Sequence, residues 1–138
     1  EHGMVLPSFL RRALRGRNLK VYGDGTQTRC FCDVATFAEV LLDLPDLKDP
    51  WRSPMRVLNI GNAESTSILA LARLVIDETE APSGIDLVPF SSEFPGRTDL
   101  QHRVPNLERF HAYVGGPPRW KSLREIVEET AEWCAARG

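Results

Sequence analysis

The sequence predicts an α/β fold, and three observations carry that expectation. Strand-like runs at Leu19–Tyr22, Val57–Ile60 and Ile85–Phe90 alternate with segments whose apolar residues recur at three- and four-residue spacing. Turn clusters separate them, Gly23-Asp24-Gly25 above all. The composition, 42% apolar and 26% charged over 138 residues, is that of a folded globular chain of one domain or a piece of a larger one.

Each element has its own signal. Leu6, Leu10, Ala13 and Leu14 line one side of a first helix, with Gly16 as its stop. Leu19–Tyr22 is a short strand, and the Gly-Asp-Gly turn after it leads to an extended, partly apolar stretch from Arg29 to Cys32. Asp33 can cap a second helix carrying Val34, Phe37, Ala38 and Leu41, which stops near Pro45. Residues 45–54 are polar, contain three prolines and read as a surface loop. Val57–Ile60 is an apolar strand ending at Gly61. Ser65-Thr66-Ser67 offers caps for a third helix built on Ile68, Leu71, Ala72, Val75 and Ile76. After the strand at Ile85–Phe90, Ser91 to Arg103 shows no period, and a loop of that length in a compact domain is often functional. A short helix starts near Pro105-Asn106. Ser122-x-x-Glu125 is a capping box for a last helix with Leu123, Ile126, Val127, Thr130, Ala131 and Cys134 on one face. That makes about five helices, with Trp51, Trp120 and Trp133 read as packing residues.

Charge and motifs exclude more than they assign. Seventeen basic against nineteen acidic residues give a net charge of −2, without the basic excess of a nucleic-acid or membrane-surface binder. No apolar run reaches the roughly 18 residues of a membrane span, so neither nucleic acid nor membrane is an expected partner. Three cysteines, Cys30, Cys32 and Cys134, are no disulfide framework and point to a reducing cytoplasm. His2, His102 and His111 fall at no metal-ligand spacing, so no metal site is expected. Gly23-Asp24-Gly25 would need glycine at position 28 to complete a dinucleotide fingerprint, and Thr28 stands there. There is no Walker loop and no Gly-x-Ser-x-Gly elbow, and a Tyr-x-x-x-Lys pair fails at both Tyr22 and Tyr113. The chain opens on Glu1-His2-Gly3 without a methionine, as a fragment would.

Four stretches carry a family resemblance. They are Gly3-Met-Val-Leu-Pro-Ser-Phe-Leu-Arg-Arg-Ala-Leu-Arg-Gly16, then Val21-Tyr-Gly-Asp-Gly-Thr-Gln-Thr-Arg-Cys-Phe-Cys32, then Val57-Leu-Asn-Ile-Gly-Asn62 with Ser67-Ile-Leu-Ala-Leu-Ala72, and last Arg103-Val-Pro-Asn-Leu107. In this order they resemble the NAD-dependent nucleotide-sugar epimerases and dehydratases of the extended short-chain dehydrogenase/reductase superfamily. The chain looks closest to UDP-glucose 4-epimerase-like members. UDP-glucuronate decarboxylases and dTDP-glucose 4,6-dehydratases share the scaffold. The resemblance implies that residues 1–138 are the nucleotide-sugar-binding C-terminal domain, with the Rossmann N-terminal half absent. Residues 34–62 would complete the edge of that missing sheet.

The same resemblance implies the site. Arg29 and Arg103 would approach the diphosphate and ribose from opposite sides, a task for planar, permanently charged donors. Leu19, Lys20, Val21 and Tyr22 would form the strand that meets the base. Asn106 stands where the family has aspartate, so it keeps an acceptor without the charge. Arg97, in the long loop, is a further phosphate candidate. The arginines at 11, 12, 15 and 17 read as the wet face of the first helix. Asp33-Val-Ala-Thr-Phe37 departs from the family's Tyr-Val-Asp-Asp-Leu, which leaves the substrate open. NAD would bind the full-length parent and not this fragment, which carries no expected catalytic residue. The expected partner is a nucleotide-diphosphate sugar, a UDP-sugar first, with a homodimer as an open question. A stand-alone sugar-nucleotide binding module and a structural remnant are the competing readings.

Overall fold

The computed structural model describes residues 4–44 and 57–137. Six helices and five short strands follow one another as α1 (Val5–Ala13), β1 (Leu19–Tyr22), β2 (Thr28–Cys30), α2 (Val34–Asp43), β3 (Ser65–Ser67), α3 (Ile68–Thr79), β4 (Ile85–Val88), α4 (Phe90–Glu93), β5 (His102–Arg103), α5 (Glu108–Val114) and α6 (Leu123–Ala135). The sixth helix, beyond the five expected, is the single turn α4 inside the stretch read as a loop. That stretch also contains β5.

The core lies where α1, α3 and α6 pack on one another and on β1. Leu6, Phe9, Leu10 and Ala13 come from α1, Leu19 and Val21 from β1, Ile68, Leu71, Ala72 and Val75 from α3, and Ile126 and Val127 from α6. Each of these helices shows apolar residues at three- and four-residue intervals, so one stripe of each can be buried. Ser67 caps α3 by accepting the Ala70 N–H, and Ser122 and Glu125 close the capping box that starts α6. Leu14 departs from the expected face. It caps the C-terminal end of α1 and is 44% exposed.

Two small sheets frame the core. β1 pairs with β4 in parallel, and β2 lies between β3, antiparallel, and β5, parallel. The turn between β1 and β2 requires glycine at position 25. Its φ is +78°, and a Cβ there would stand 2.8 Å from the Leu69 Cβ and 2.9 Å from a Val21 methyl. The Gly25 and Gln27 carbonyls accept the N–H groups of Leu69 and Ile68, so the turn also seats the start of α3. Gln27, buried, donates its side-chain N–H to the Tyr22 carbonyl at 2.6 Å.

Several expectations need correction. In α2 the buried residue is Val40, while Val34, Leu41 and Leu42 are exposed, and the helix is tied to the body at its N-terminus. There Asp33 accepts the Thr36 N–H on one oxygen and the Lys121 N–H on the other. Val57–Ile60 joins no strand ladder among the described residues, and Val57 is exposed. β4 ends at Val88 because Pro89 cannot donate to the ladder. Trp133 is exposed, with the Arg137 guanidinium stacked over it at 4.3 Å, so it is no packing residue. The expected loop at 45–54, the stop at Pro45, and Trp51 lie outside the described residues.

Candidate functional site

Two concavities meet at Arg29. The first, of about 420 Å³, lies between α1, β1 and the α4 segment. The second is a groove of about 1280 Å³ beside β2 and β5, with Met4–Pro7, Leu58–Asn62 and α6 along its walls.

The smaller cavity is strongly cationic for a chain of net charge −2. Arg11, Arg12, Arg15, Arg17, Lys20 and Arg29 line it, against only Glu93 and Asp99. Both acids are paired, Asp99 with Arg29 at 3.0 Å and Glu93 with Lys20 at 3.6 Å. The arginines at 11, 15 and 17 make no ion pair with another described residue, so their charge is uncompensated inside the cavity. An aromatic wall completes it. Tyr22 meets Phe94 edge-on with ring centres 5.3 Å apart, Phe90 lies 4.9 Å from Phe94, and Phe9 joins from α1. A concavity with flat apolar faces on one part and fixed positive charge on another suits a ligand that joins an aromatic ring to an anion.

The structure brings Arg29 and Arg103 together from positions 74 residues apart. They are Cα partners in the β2–β5 ladder, about 5 Å apart as neighbouring strands dictate, and aligned residues leave a sheet on the same face. Both line the large groove, and Arg29 also reaches the small cavity. The Arg29 guanidinium donates to the Thr28 carbonyl at 2.7 Å, the Leu100 carbonyl at 2.8 Å and the Asp99 carboxylate at 3.0 Å. Arg103 is exposed and makes no ion pair with another described residue.

The other expected site residues divide. Lys20 and Tyr22 line the small cavity. Leu19 and Val21 are fully buried in the core, so their side chains are withdrawn from any ligand, a consequence of the strand's two-residue alternation. The Leu19 and Gly23 N–H groups donate to Gly84 and Val88 on the β4 side, which turns the backbone of Lys20 and Tyr22 toward the other edge. Arg97 is exposed and lines neither concavity. Asn106 also lines neither. Its side-chain oxygen accepts the Glu108 N–H at 3.0 Å, starting α5, and its carbonyl accepts from Asn59.

Sequence reasoning missed the arginines of α1 and the three phenylalanines as site residues. Positions 11, 12 and 15 lie opposite the stripe of Leu6, Leu10 and Ala13, and the short return from α1 to β1 carries them to Lys20. The i, i+4 spacing of Phe90 and Phe94 around Glu93 was the available signal for a turn of helix there.

Cys30 and Cys32 both border the groove, but burial pushes both thiols up, Cys30 further by its neighbour Cys32 and Cys32 by the Asp33 charge. Among the described residues no three His, Cys, Asp or Glu side chains cluster as metal ligands, and no helix is long and apolar enough to cross a membrane. The Gly23-Asp24-Gly25 turn does not fit a dinucleotide. It leads into β2 instead of a helix N-terminus, and Asp24, held below its ordinary pKa by the Thr26 N–H and hydroxyl, places a negative charge there.

No protein-family model matches the chain. It is 33% identical over 130 residues to UDP-N-acetyl-alpha-D-glucosaminuronate decarboxylase of Bacillus cytotoxicus, covering 94% of this chain and 39% of that protein. It is 35% identical over 133 residues to dTDP-4-dehydro-6-deoxy-D-allose reductase of Streptomyces bikiniensis, covering 95% and 36%. The UDP-glucuronic acid 4-epimerase of Bacillus cereus, solved with UDP-glucuronic acid and NAD, superposes with a TM-score of 0.81 at 19% identity, covering 98% of this chain and 40% of that one. The fold is that of the C-terminal portion of the extended short-chain dehydrogenase/reductase enzymes. The relatives and structural neighbours include nucleotide-sugar decarboxylases, reductases, epimerases and a dehydratase, several of the structures solved with NAD, and the chain spans about a quarter to two-fifths of their length.

Proposed function

We propose that this chain is the substrate-binding part of an NAD-dependent nucleotide-sugar epimerase, one similar to UDP-glucose 4-epimerase, and that it holds the diphosphate of a UDP-sugar. The observation that carries the reading is the register of Arg29 and Arg103 on adjacent strands at the junction of a cationic, aromatic-walled cavity and an open groove. Two permanently charged, planar donors on one sheet face match a pyrophosphate. Tyr22, Phe90 and Phe94 offer flat faces to a base, and the outer edge of β1 at Lys20 offers backbone donors and acceptors. The large groove would leave the sugar open to the half of the enzyme that lies upstream.

In the whole enzyme NAD would accept and return the hydride at a sugar carbon. The residues of this chain bind and orient. By itself the chain has no catalytic residue in this reading. Residues 1–138 act as one nucleotide-sugar-binding unit, and 34–62 complete the edge of the upstream sheet. The unladdered stretch 57–60 with its exposed Val57 supports that role. We place the protein in the cytoplasm, in keeping with its free cysteines, and assign it neither nucleic-acid nor membrane partners.

Decarboxylation of a UDP-uronate is the second reading, favoured by the names of several relatives about 30% identical. Calorimetric titration of UDP and UDP-glucose into the chain and into Arg29→Ala tests the binding assignment. The expected result is binding by the native chain and a loss of about thirtyfold in the variant, the lower end of the range for a charged contact because Arg29 is partly exposed. No binding by the native chain, or equal binding by both, overturns the assignment. Supplying the upstream half with NAD, and assaying UDP-glucose against UDP-glucuronate, separates epimerisation from decarboxylation.

A further inference from the structure

Arg29 carries five N–H donors, and three of them are engaged within the protein. Nη1 donates to the carbonyls of Thr28 and Leu100, and Nη2 donates to the Asp99 carboxylate. Among the described residues Nε makes no bond, so the Nε–H is left to meet a phosphate oxygen. The guanidinium is therefore fixed before any ligand arrives.

The group that fixes it comes from the chain just before Arg103. The Gln101 carbonyl accepts the Thr28 N–H at 2.8 Å, and the His102 ring contacts the Thr28 hydroxyl at 3.1 Å. The Asp99 side chain is only 20% exposed, and of the two acids lining the cavity, Glu93 and Asp99, it is the one paired with Arg29.

We propose that Asp99 is a positioning residue for nucleotide-diphosphate binding, holding the Arg29 guanidinium so that its free edge faces the pyrophosphate. The proposal rests on the binding reading above. It differs from the alternative the same contact allows, in which Asp99 occupies Arg29 as a competitor that a ligand must displace. Under positioning, geometry matters more than charge. Asparagine at 99 keeps an acceptor in place, glutamate keeps the charge but shifts it by one methylene, and alanine removes both.

The test is calorimetric titration of UDP into the native chain, Asp99→Asn, Asp99→Glu, Asp99→Ala, Arg29→Ala and the Arg29→Ala/Asp99→Ala double variant, with thermal melting of each. Asp99→Asn is expected to bind within about threefold of the native chain, and Asp99→Glu and Asp99→Ala about tenfold more weakly. The double variant is expected to bind no more weakly than Arg29→Ala alone, because Asp99 acts only through Arg29. A merely structural role would instead add its loss to that of Arg29→Ala. Should Asp99→Ala fail to fold, the Asn and Glu variants decide the matter.

Native-like or tighter binding by Asp99→Ala or Asp99→Glu overturns the proposal, as does additive loss in the double variant. If Arg29→Ala binds UDP as the native chain does, the binding reading itself falls. If Arg29→Ala loses affinity while the Asp99 variants do not, only the positioning role falls.

Discussion

Replacing Asp33 by alanine removes two backbone attachments at once. One carboxylate oxygen accepts the Thr36 N–H at 2.7 Å and caps α2, and the other accepts the Lys121 N–H at 3.2 Å just before α6. Loss of an N-cap costs about 1 kcal/mol. A half-buried N–H left without its acceptor costs about 1 kcal/mol more. The expected destabilisation is therefore about 2 kcal/mol, or about 6 °C in melting temperature for a chain of this size. Asp33→Asn should lose less, since its amide oxygen still accepts from Thr36 while its NH₂ cannot accept from Lys121. Burial alone would raise the Asp33 pKa, but the Thr36 and Lys121 N–H groups outweigh it and hold the carboxyl below its ordinary 3.8. A depressed carboxylate contributes stability above its unfolded value and loses it as pH falls through the native one. The gap between native and Asp33→Ala should thus be constant from neutral pH down to about pH 5 and narrow below 3.8. Urea denaturation across that range measures it. A loss under about 0.5 kcal/mol at neutral pH, with unchanged slope, would refute the two-attachment argument.

Two further outcomes follow from the same geometry. Gly25→Ala puts a methyl into Leu69 and Val21 at a positive φ, so a loss of about 3 kcal/mol is expected in urea denaturation, and a neutral substitution would contradict the close approach. Arg15→Glu reverses one uncompensated charge in the small cavity and should weaken UDP binding severalfold at about 50 mM salt and less at about 300 mM, while Arg109→Glu, exposed on α5 and lining neither concavity, changes it little. Titrations at both salt concentrations check this, and equal effects of the two variants would remove the cavity from the binding reading.

How much of this could be read from the residues alone depended on how local each signal was. β1 was legible to the residue because the alternating Leu-Lys-Val-Tyr run stands between an asparagine and a glycine turn, and α6 because its capping box is a four-residue pattern. The faces of α2 were not, since its apolar residues run nearly all round and only packing chooses Val40. That the side chains of Leu19 and Val21 turn into the core was not legible, because resemblance names a strand and not its two faces. Arg97 and Asn106 have the right chemistry, but where a loop arginine ends up and whether an asparagine oxygen is spent on a helix start are tertiary facts. The α1 arginines posed the reverse problem. A solvated helix face and a cavity wall read alike until the chain folds back over them.

The central claim is that strand pairing delivers Arg29 and Arg103 to one pyrophosphate. A crystal structure of the chain with UDP tests it most directly. The account predicts the diphosphate within hydrogen-bond distance of both guanidinium groups, with the uracil against the Tyr22–Phe94 wall. UDP bound elsewhere, or touching neither arginine, would contradict it.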